Sequence, residues 1–224
     1  IGGCGLGLAM ISFIYSITNT SAAITLLCLA AMPFFTALLA FLFLKEKISI
    51  NVWISIFIAT IGIIIMAFGN NEKNSFIGFA FGIASSIGFS IFSVTLRWRK
   101  ETPKFTTVAI AGLFCFVIAA LVILIKNQTF FASSYNSSMF SLHGVLVCLG
   151  LILYSIGSKV IPAAELTLLS LTEVIGGIFW VWFPLFGINE IPSTNTIVGG
   201  FFLFISLVYY SLIMRWNKRF IALN

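Results

Sequence analysis

Long apolar runs separated by short polar clusters set the pattern of this chain. A helix needs roughly 20 mostly apolar residues to cross the hydrocarbon core of a bilayer. Eight runs approach that length, at residues 3–18, 22–44, 52–69, 76–96, 105–125, 142–159, 162–186 and 195–214. The connections "KEKISIN", "GNNEKNS", "RWRKETPK", "KNQTFFASSYNSS", "GSKVIP" and "GINEIPST" hold nearly all of the charge and the turn residues. The pattern predicts an all-α polytopic membrane protein with eight spans.

Composition places the solvent beyond doubt. The 224 residues are 60% hydrophobic and 8% charged, with a mean hydropathy of +1.15. A soluble domain carries about 25% charged residues, and no connection here is long enough to form one. The net charge of +6 bears on membrane orientation and not on nucleic acid, because the basic residues are scattered between apolar runs. With the C-terminus in the cytoplasm, Lys45, Lys47, Arg97, Arg99, Lys100, Lys104, Lys159, Arg215, Lys218 and Arg219 all lie inside, and only Lys73 and Lys126 outside. That asymmetry follows the positive-inside rule. Cys4, Cys28, Cys115 and Cys148 sit within the apolar runs, with no disulfide framework and no metal-ligand spacing.

An internal repeat organises the runs. "TSAAITLLCLAAMPFF" at 20–35 is similar to "IPAAELTLLSLTEVIG" at 161–176, with Ala22 and Ala23 over Ala163 and Ala164 at an offset of 141 residues. "KEKIS" is similar to "NEIPS", placing Glu46 and Ser49 over Glu190 and Ser193 at an offset of 144. The predicted orientation puts Glu46 inside and Glu190 outside, so the two copies point in opposite directions. Inverted-topology repeats are a transporter signature; chance similarity between apolar segments is the alternative. The second copy holds two spans before the helix that aligns with residue 1. The expectation is therefore a ten-helix protein of inverted five-helix repeats that lacks its first two helices here. Residues 1–69 form the last three helices of the first repeat, 76–214 the second repeat of five, and 215–224 a basic cytoplasmic tail.

The two segments "TSAAITLLCLAAMPFFTALLAFLFLKEKIS" and "VIPAAELTLLSLTEVIGGIFWVWFPLFGINEIPS" resemble the drug/metabolite transporter superfamily, EamA-like branch. In that family each half has a small-residue pair opening its fourth helix, a mid-helix proline and a closing Gly-Glu. Two departures stand out: Val174 replaces the second proline that Pro33 supplies in the first half, and the closing pairs are Lys45–Glu46 and Asn189–Glu190. The resemblance implies a secondary carrier that moves small polar metabolites, amino acids or related solutes, across a bacterial cytoplasmic membrane by alternating access, in the export direction. It implies a central cavity between the halves. The partners expected are a small-molecule substrate, the lipid bilayer and at most a second copy of the chain, with no nucleic acid and no cofactor.

One carboxylate stands alone in an apolar run. Glu173 lies eleven residues past Pro162, which at about 1.5 Å per residue is roughly 16 Å deep, near the midplane. Ser170 and Glu165 share its helix face, and such a polar stripe turns toward a bundle interior. Glu173 either lines the substrate cavity, where it would bind an ammonium group or change protonation, or ties two helices together. Ser86, Phe89 and Ser90 in "FGIASSIGFSIFSV" are cavity-lining candidates, with close packing through Gly78 and Gly82 as the structural alternative. Tyr15 and Tyr154 occupy similar places in the two halves, as substrate contacts or as interfacial anchors. Lys159 and Glu165 are expected as a solvated or ion-paired couple, and Lys45, Glu46 and Lys47 as a solvated loop start with Ser49 capping the next helix. Asn127 and Asn136 open glycosylation sequons.

Other classes fit less well. The chain has no Asp and a single His, His143, expected at the outer end of its helix. That removes aspartyl dyads and His-rich metal sites, and there is neither a nucleophile elbow nor a phosphate-binding loop. A membrane enzyme is therefore the weakest reading. A non-transporting scaffold or a channel is the stronger alternative, although a channel favours symmetric pore-lining rings.

Overall fold

The computed structural model describes residues 1–20, 22–69, 76–98, 104–127, 133–182 and 194–222. The described residues are almost wholly helical, as the absence of water in a bilayer requires of backbone polar groups. In chain order the helices are α1 (Gly2–Asn19), α2 (Ala22–Leu29), α3 (Met32–Leu39), α4 (Ile50–Gly69), α5 (Phe76–Trp98), α6 (Lys104–Ile125), α7 (Ser134–Gly157), α8 (Ala163–Leu169), α9 (Leu171–Trp182) and α10 (Thr194–Ala222). A wide π turn over Ala40–Leu44 closes the third. By length and apolarity, Ile24–Leu44, Phe76–Trp98, Phe105–Ile125 and Ser134–Gly157 can each cross a membrane, and Ile50–Ile65 and Ile197–Ile213 are shorter apolar helices. Four long spans among the described residues is fewer than the eight expected from the pattern. Helix α1 carries Gly2, Gly3, Gly5 and Gly7 and a polar second half, and the run from 162 is split in two and described only to residue 182.

Both of those split runs break at corresponding places. Helix α2 begins at Ala22 and α8 at Ala163, the offset of 141 residues found in the sequence, and they stop at Leu29 and Leu169. The causes differ. In the first half Pro33 sits in the opening turn of α3 and cannot donate a backbone hydrogen bond. In the second half Val174 stands in that place, and hydroxyls compete for the carbonyls instead. Thr167 donates to the Ala163 and Ala164 carbonyls at 3.1 Å, Ser170 to that of Thr167 at 2.7 Å and Thr172 to that of Leu169 at 2.9 Å. Such back-bonding loosens the regular ladder, and Glu173 N–H turns to the carbonyl three residues back, Ser170, at 2.9 Å.

Helix α1 packs most extensively on α5 and then on α6, while α4 packs on α10 and α3 on α8. Small residues and hydroxyls make these contacts, because apolar side chains gain little by leaving lipid for protein. A Cβ on Gly62 of α4 would lie 2.6 Å from the Gly199 carbonyl of α10, and Ser206 donates to the Ser55 carbonyl at 2.7 Å. Between α1 and α5, Ser85 donates to the Ala9 carbonyl at 2.9 Å. The largest buried cluster runs from Leu26, Leu27 and Met32 through Leu168, Leu171 and Val174 to Leu203, joining the broken helices to α10. Few residues of helices α6 and α7 are buried along their apolar windows.

One end of the bundle holds basic residues and, among the described residues, a single ion pair. Arg97, in the last turn of α5, donates to Glu46 Oε1 at 2.8 Å and to the Lys159 carbonyl at 3.1 Å. Glu46 is thus held and not simply solvated. Glu165 accepts a hydrogen bond from the Tyr210 hydroxyl and makes no described ion pair with Lys159. Ser49 accepts from Val52 N–H at 3.4 Å and caps α4. Helix α7 starts earlier than the apolar pattern indicates, since Ser133 accepts from Asn136 N–H at 3.4 Å and caps it. The expected polar loop is therefore partly helix, with Asn136 in its first turn. Helix α10 continues through 215 to Ala222, so the predicted tail extends a helix. Glu190, Ser193, Lys73, Arg99 and Lys100 lie outside the described residues.

Candidate functional site

A cavity of about 500 Å³ lies where the two helix breaks meet α1, α5 and α7. Leu29 and Met32 flank the first break, Ser170 and Glu173 the second, and all four line the cavity. Glu173 stands in the first turn of α9, just past the break, where its N–H bonds to the Ser170 carbonyl. Glu173 is accessible and, among the described residues, is the only lining residue with a formal charge at pH 7. Among the described residues no Lys or Arg lines the cavity, and no described ion pair involves Glu173.

The other lining groups come from three helices. Helix α1 supplies Leu6, Ala9, Met10, Phe13 and Ile14, and α5 supplies Ser85 and Phe89. Helix α7 contributes His143, Val147, Gly150, Leu151 and Tyr154. Phe89 and Tyr154 meet edge to face with ring centroids 5.1 Å apart, and Phe92 stacks on Tyr154 at 6.0 Å. The Tyr154 and Ser93 hydroxyls are 2.8 Å apart and bonded to each other. Along both α5 and α7 this aromatic group falls between the cavity and the Arg97–Glu46 end. Among the described residues no three His, Cys, Asp or Glu side chains converge on a common point.

Of the candidates read from the sequence, the structure brings Glu173, Ser170, Phe89 and Tyr154 to one cavity. It places Ser86, Ser90 and Tyr15 elsewhere. Ser86 and Ser90 are fully buried. Ser86 donates to the Cys28 carbonyl, and Ser90 to those of Ser86 at 2.7 Å and Met32 at 3.2 Å. Both therefore stand behind the cavity wall and hold carbonyls beside the first helix break against α5. Tyr15 stacks on Phe81 at 5.2 Å and lines a separate, wholly apolar depression with Met10, Cys115 and Ile118. The apolar pattern puts His143 at a helix end, yet it lines the cavity, because α7 begins at Ser134 and carries His143 more than two turns in. The Ser133 cap is the signal for it.

The two serine roles separate in an experiment. Ser86→Ala with Ser90→Ala is expected to destabilise the protein by about 1 kcal/mol, since interhelical hydrogen bonds in membranes average near 0.6 kcal/mol each. Ligand affinity should stay within about threefold of wild type, a 1.4 kcal/mol change being tenfold. Thermal unfolding and equilibrium binding of the same preparation check both numbers, and a large affinity loss without loss of stability would return the serines to the cavity.

Comparison with known proteins bears on what this cavity serves. Residues 1–68 match the EamA-like transporter family. An "Uncharacterized transporter" of Helicobacter pylori strain J99 is 34% identical over 95 residues, 42% of this chain and 32% of the relative. Over its first 68 residues the chain is similar to the EamA-like transporter family. Another "Uncharacterized transporter", from Helicobacter pylori strain 26695, is 26% identical over 180 residues, 78% of this chain and 60% of the relative. The chain thus spans less than two thirds of the length of the curated relatives it matches. A solved crystal structure superposes on 97% of this chain and 76% of its own, with a TM-score of 0.67 at 17% identity, a likeness of fold alone. With its long apolar helices, the chain is an integral membrane protein similar to transporters.

Proposed function

We propose that this EamA-like protein is a secondary carrier that exports small metabolites across the cytoplasmic membrane of a bacterium by alternating access. The observation that carries the reading is the position of the cavity. It sits at two helix breaks that fall at equivalent places in two sequence-similar segments. Discontinuous helices meeting near the bilayer midplane, contributed by inverted repeats, are the usual architecture of a carrier's substrate site. The reading takes the full protein as ten helices in two five-helix halves, of which this chain supplies eight spans. The basic end, with Arg97, Glu46 and Lys159, is cytoplasmic, as the distribution of Lys and Arg favours.

In this reading the Phe89–Phe92–Tyr154 group and the Arg97 link close the cavity toward the cytoplasm. Opening to that side requires the rings to part and Arg97 to leave Glu46 and the Lys159 carbonyl. The two halves then rock about the cavity, with the substrate gradient or protons as the driving force. A channel would need a continuous polar route, whereas hydrophobic rings and a held guanidinium separate this cavity from one end.

The test is counterflow by the full-length protein in liposomes, with a panel of radiolabelled amino acids and amines beside protein-free vesicles. A carrier loaded with unlabelled substrate accumulates the labelled one transiently and saturably. Non-saturable flux would point to a channel, and no flux for any solute would remove the transport reading.

A further inference from the structure

The polar inventory of the cavity narrows the class of ligand. Three of its lining residues carry hydroxyls, and each hydroxyl is already engaged within the protein. Ser85 donates to the Ala9 carbonyl at 2.9 Å, Ser170 donates to the Thr167 carbonyl at 2.7 Å, and Tyr154 is bonded to Ser93 at 2.8 Å. What remains is the Glu173 carboxylate and the His143 imidazole in an otherwise apolar lining. An ionised carboxylate only accepts hydrogen bonds. The site therefore offers a negative charge and acceptors, and almost no donors.

That inventory discriminates by charge. A carboxylate in apolar surroundings is costly until an opposite charge joins it, and a protonated amine supplies both the charge and the donors. Among the described lining residues a ligand carboxylate would find no Lys or Arg and no uncommitted hydroxyl, so an anion or a zwitterion would bury an unpaired charge there. The apolar part has its own partners. Phe89 and Tyr154 present ring surface beside Met10, Phe13 and Leu151, and aromatic faces attract cations within about 6 Å of the ring centroid. The volume of about 500 Å³ falls in the usual range for small-molecule sites, roughly 300–1,000 Å³.

We infer that the cavity recognises a small, singly charged amine with an apolar body of about the size of an aromatic ring, its ammonium on Glu173 and its body against Phe89 and Tyr154. This narrows the substrate of the carrier reading, on which its transport consequence rests; the binding preference itself does not need flux.

Equilibrium binding to the purified full-length protein in lipid nanodiscs, at pH 7, tests it with four radiolabelled probes of similar size. These are phenethylamine, its uncharged analogue phenethyl alcohol, the zwitterion phenylalanine and the anion 3-phenylpropanoate. Phenethylamine is expected to bind saturably and at least about tenfold more tightly than the other three. Hydrogen bonds to charged groups contribute roughly 1.5–3 kcal/mol, about 10- to 100-fold in affinity, so Glu173→Gln should weaken phenethylamine by that factor. Glu173→Asp, which keeps the charge, should retain most of the preference and guards against a folding defect in the first variant. Equal or tighter binding of phenylalanine or 3-phenylpropanoate overturns the inference. So does unaltered phenethylamine binding by folded Glu173→Gln, or no saturable phenethylamine binding at all. Glu173-dependent binding without counterflow would sustain the inference and remove the carrier reading; saturable flux of anions alone would do the reverse.

Discussion

Glu173→Gln is expected to reduce counterflow at least tenfold while leaving the protein folded. Glutamine fills nearly the same volume and keeps one acceptor, so the packing of α9 through Leu171 and Val174 into the buried cluster should survive. What disappears is the only formal charge among the described residues of the cavity lining. A charge-assisted hydrogen bond is about twice as strong as a neutral one, and the lost pairing falls on the bound substrate alone. Elution profile and thermal unfolding of the purified variant report whether it folds, and initial counterflow rates report transport. The sequence leaves two roles open for this carboxylate, cavity ligand or tie between helices. In the structure its side chain is accessible and no described ion pair holds it, whereas Glu46 is held by Arg97 and Glu165 by Tyr210. A tie would show the opposite result: unchanged flux in whatever protein folds, together with a large loss of stability.

Much of the fold and of the cavity is legible in the amino-acid sequence, and the exceptions have physical causes. Apolar runs announce membrane helices because the bilayer sets both their length and their composition. The offset between Ala22 and Ala163 predicts related segments, and α2 and α8 begin at those residues. Spacing also brings Ser170, Glu173, Phe89 and Tyr154 into consideration, all of them lining residues. Periodicity does not tell Ser85 from Ser86. The two are adjacent in sequence and both buried, yet one lines the cavity and the other reaches the Cys28 carbonyl. Which carbonyls need a donor depends on where a neighbouring helix breaks, and that is tertiary information. His143 is misplaced by the apolar pattern for a local reason: the polar opening turns of α7 resemble a loop, and only the Ser133 cap marks them as helix. The break at Ser170 lacks the proline that marks its counterpart, and hydroxyl back-bonding leaves no equally plain mark in a sequence.

The second large effect is expected at Gly88, on the face that α5 presents to α1. A Cβ added there would lie 2.7 Å from the Gly5 carbonyl oxygen, 2.9 Å from Ala9 N and 3.2 Å from Ala9 Cα. Those atoms are all backbone, so no side chain can turn aside and the helices must part. Overpacking costs typically about 1–3 kcal/mol, and Gly88→Val should exceed Gly88→Ala because it adds two further carbons in the same contact. Gly112 of α6 is the control. A Cβ there meets nothing within 4 Å, and Gly112→Ala should be neutral or stabilise by up to about 1 kcal/mol through helix propensity. Thermal unfolding in detergent distinguishes them, with Gly88→Val lowest and Gly112→Ala at or above wild type. Matching midpoints for Gly88→Val and wild type would mean that α1 and α5 do not approach through these glycines. The cavity should feel the same change. Gly88 adjoins Phe89, and the Ala9 backbone that its side chain would strike also accepts the Ser85 hydroxyl. Parting the helices therefore releases Ser85, a lining hydroxyl, to face the ligand. A folded Gly88→Ala protein is accordingly expected to lose part of its preference for an amine over a zwitterion, because the lining regains a donor for a carboxylate.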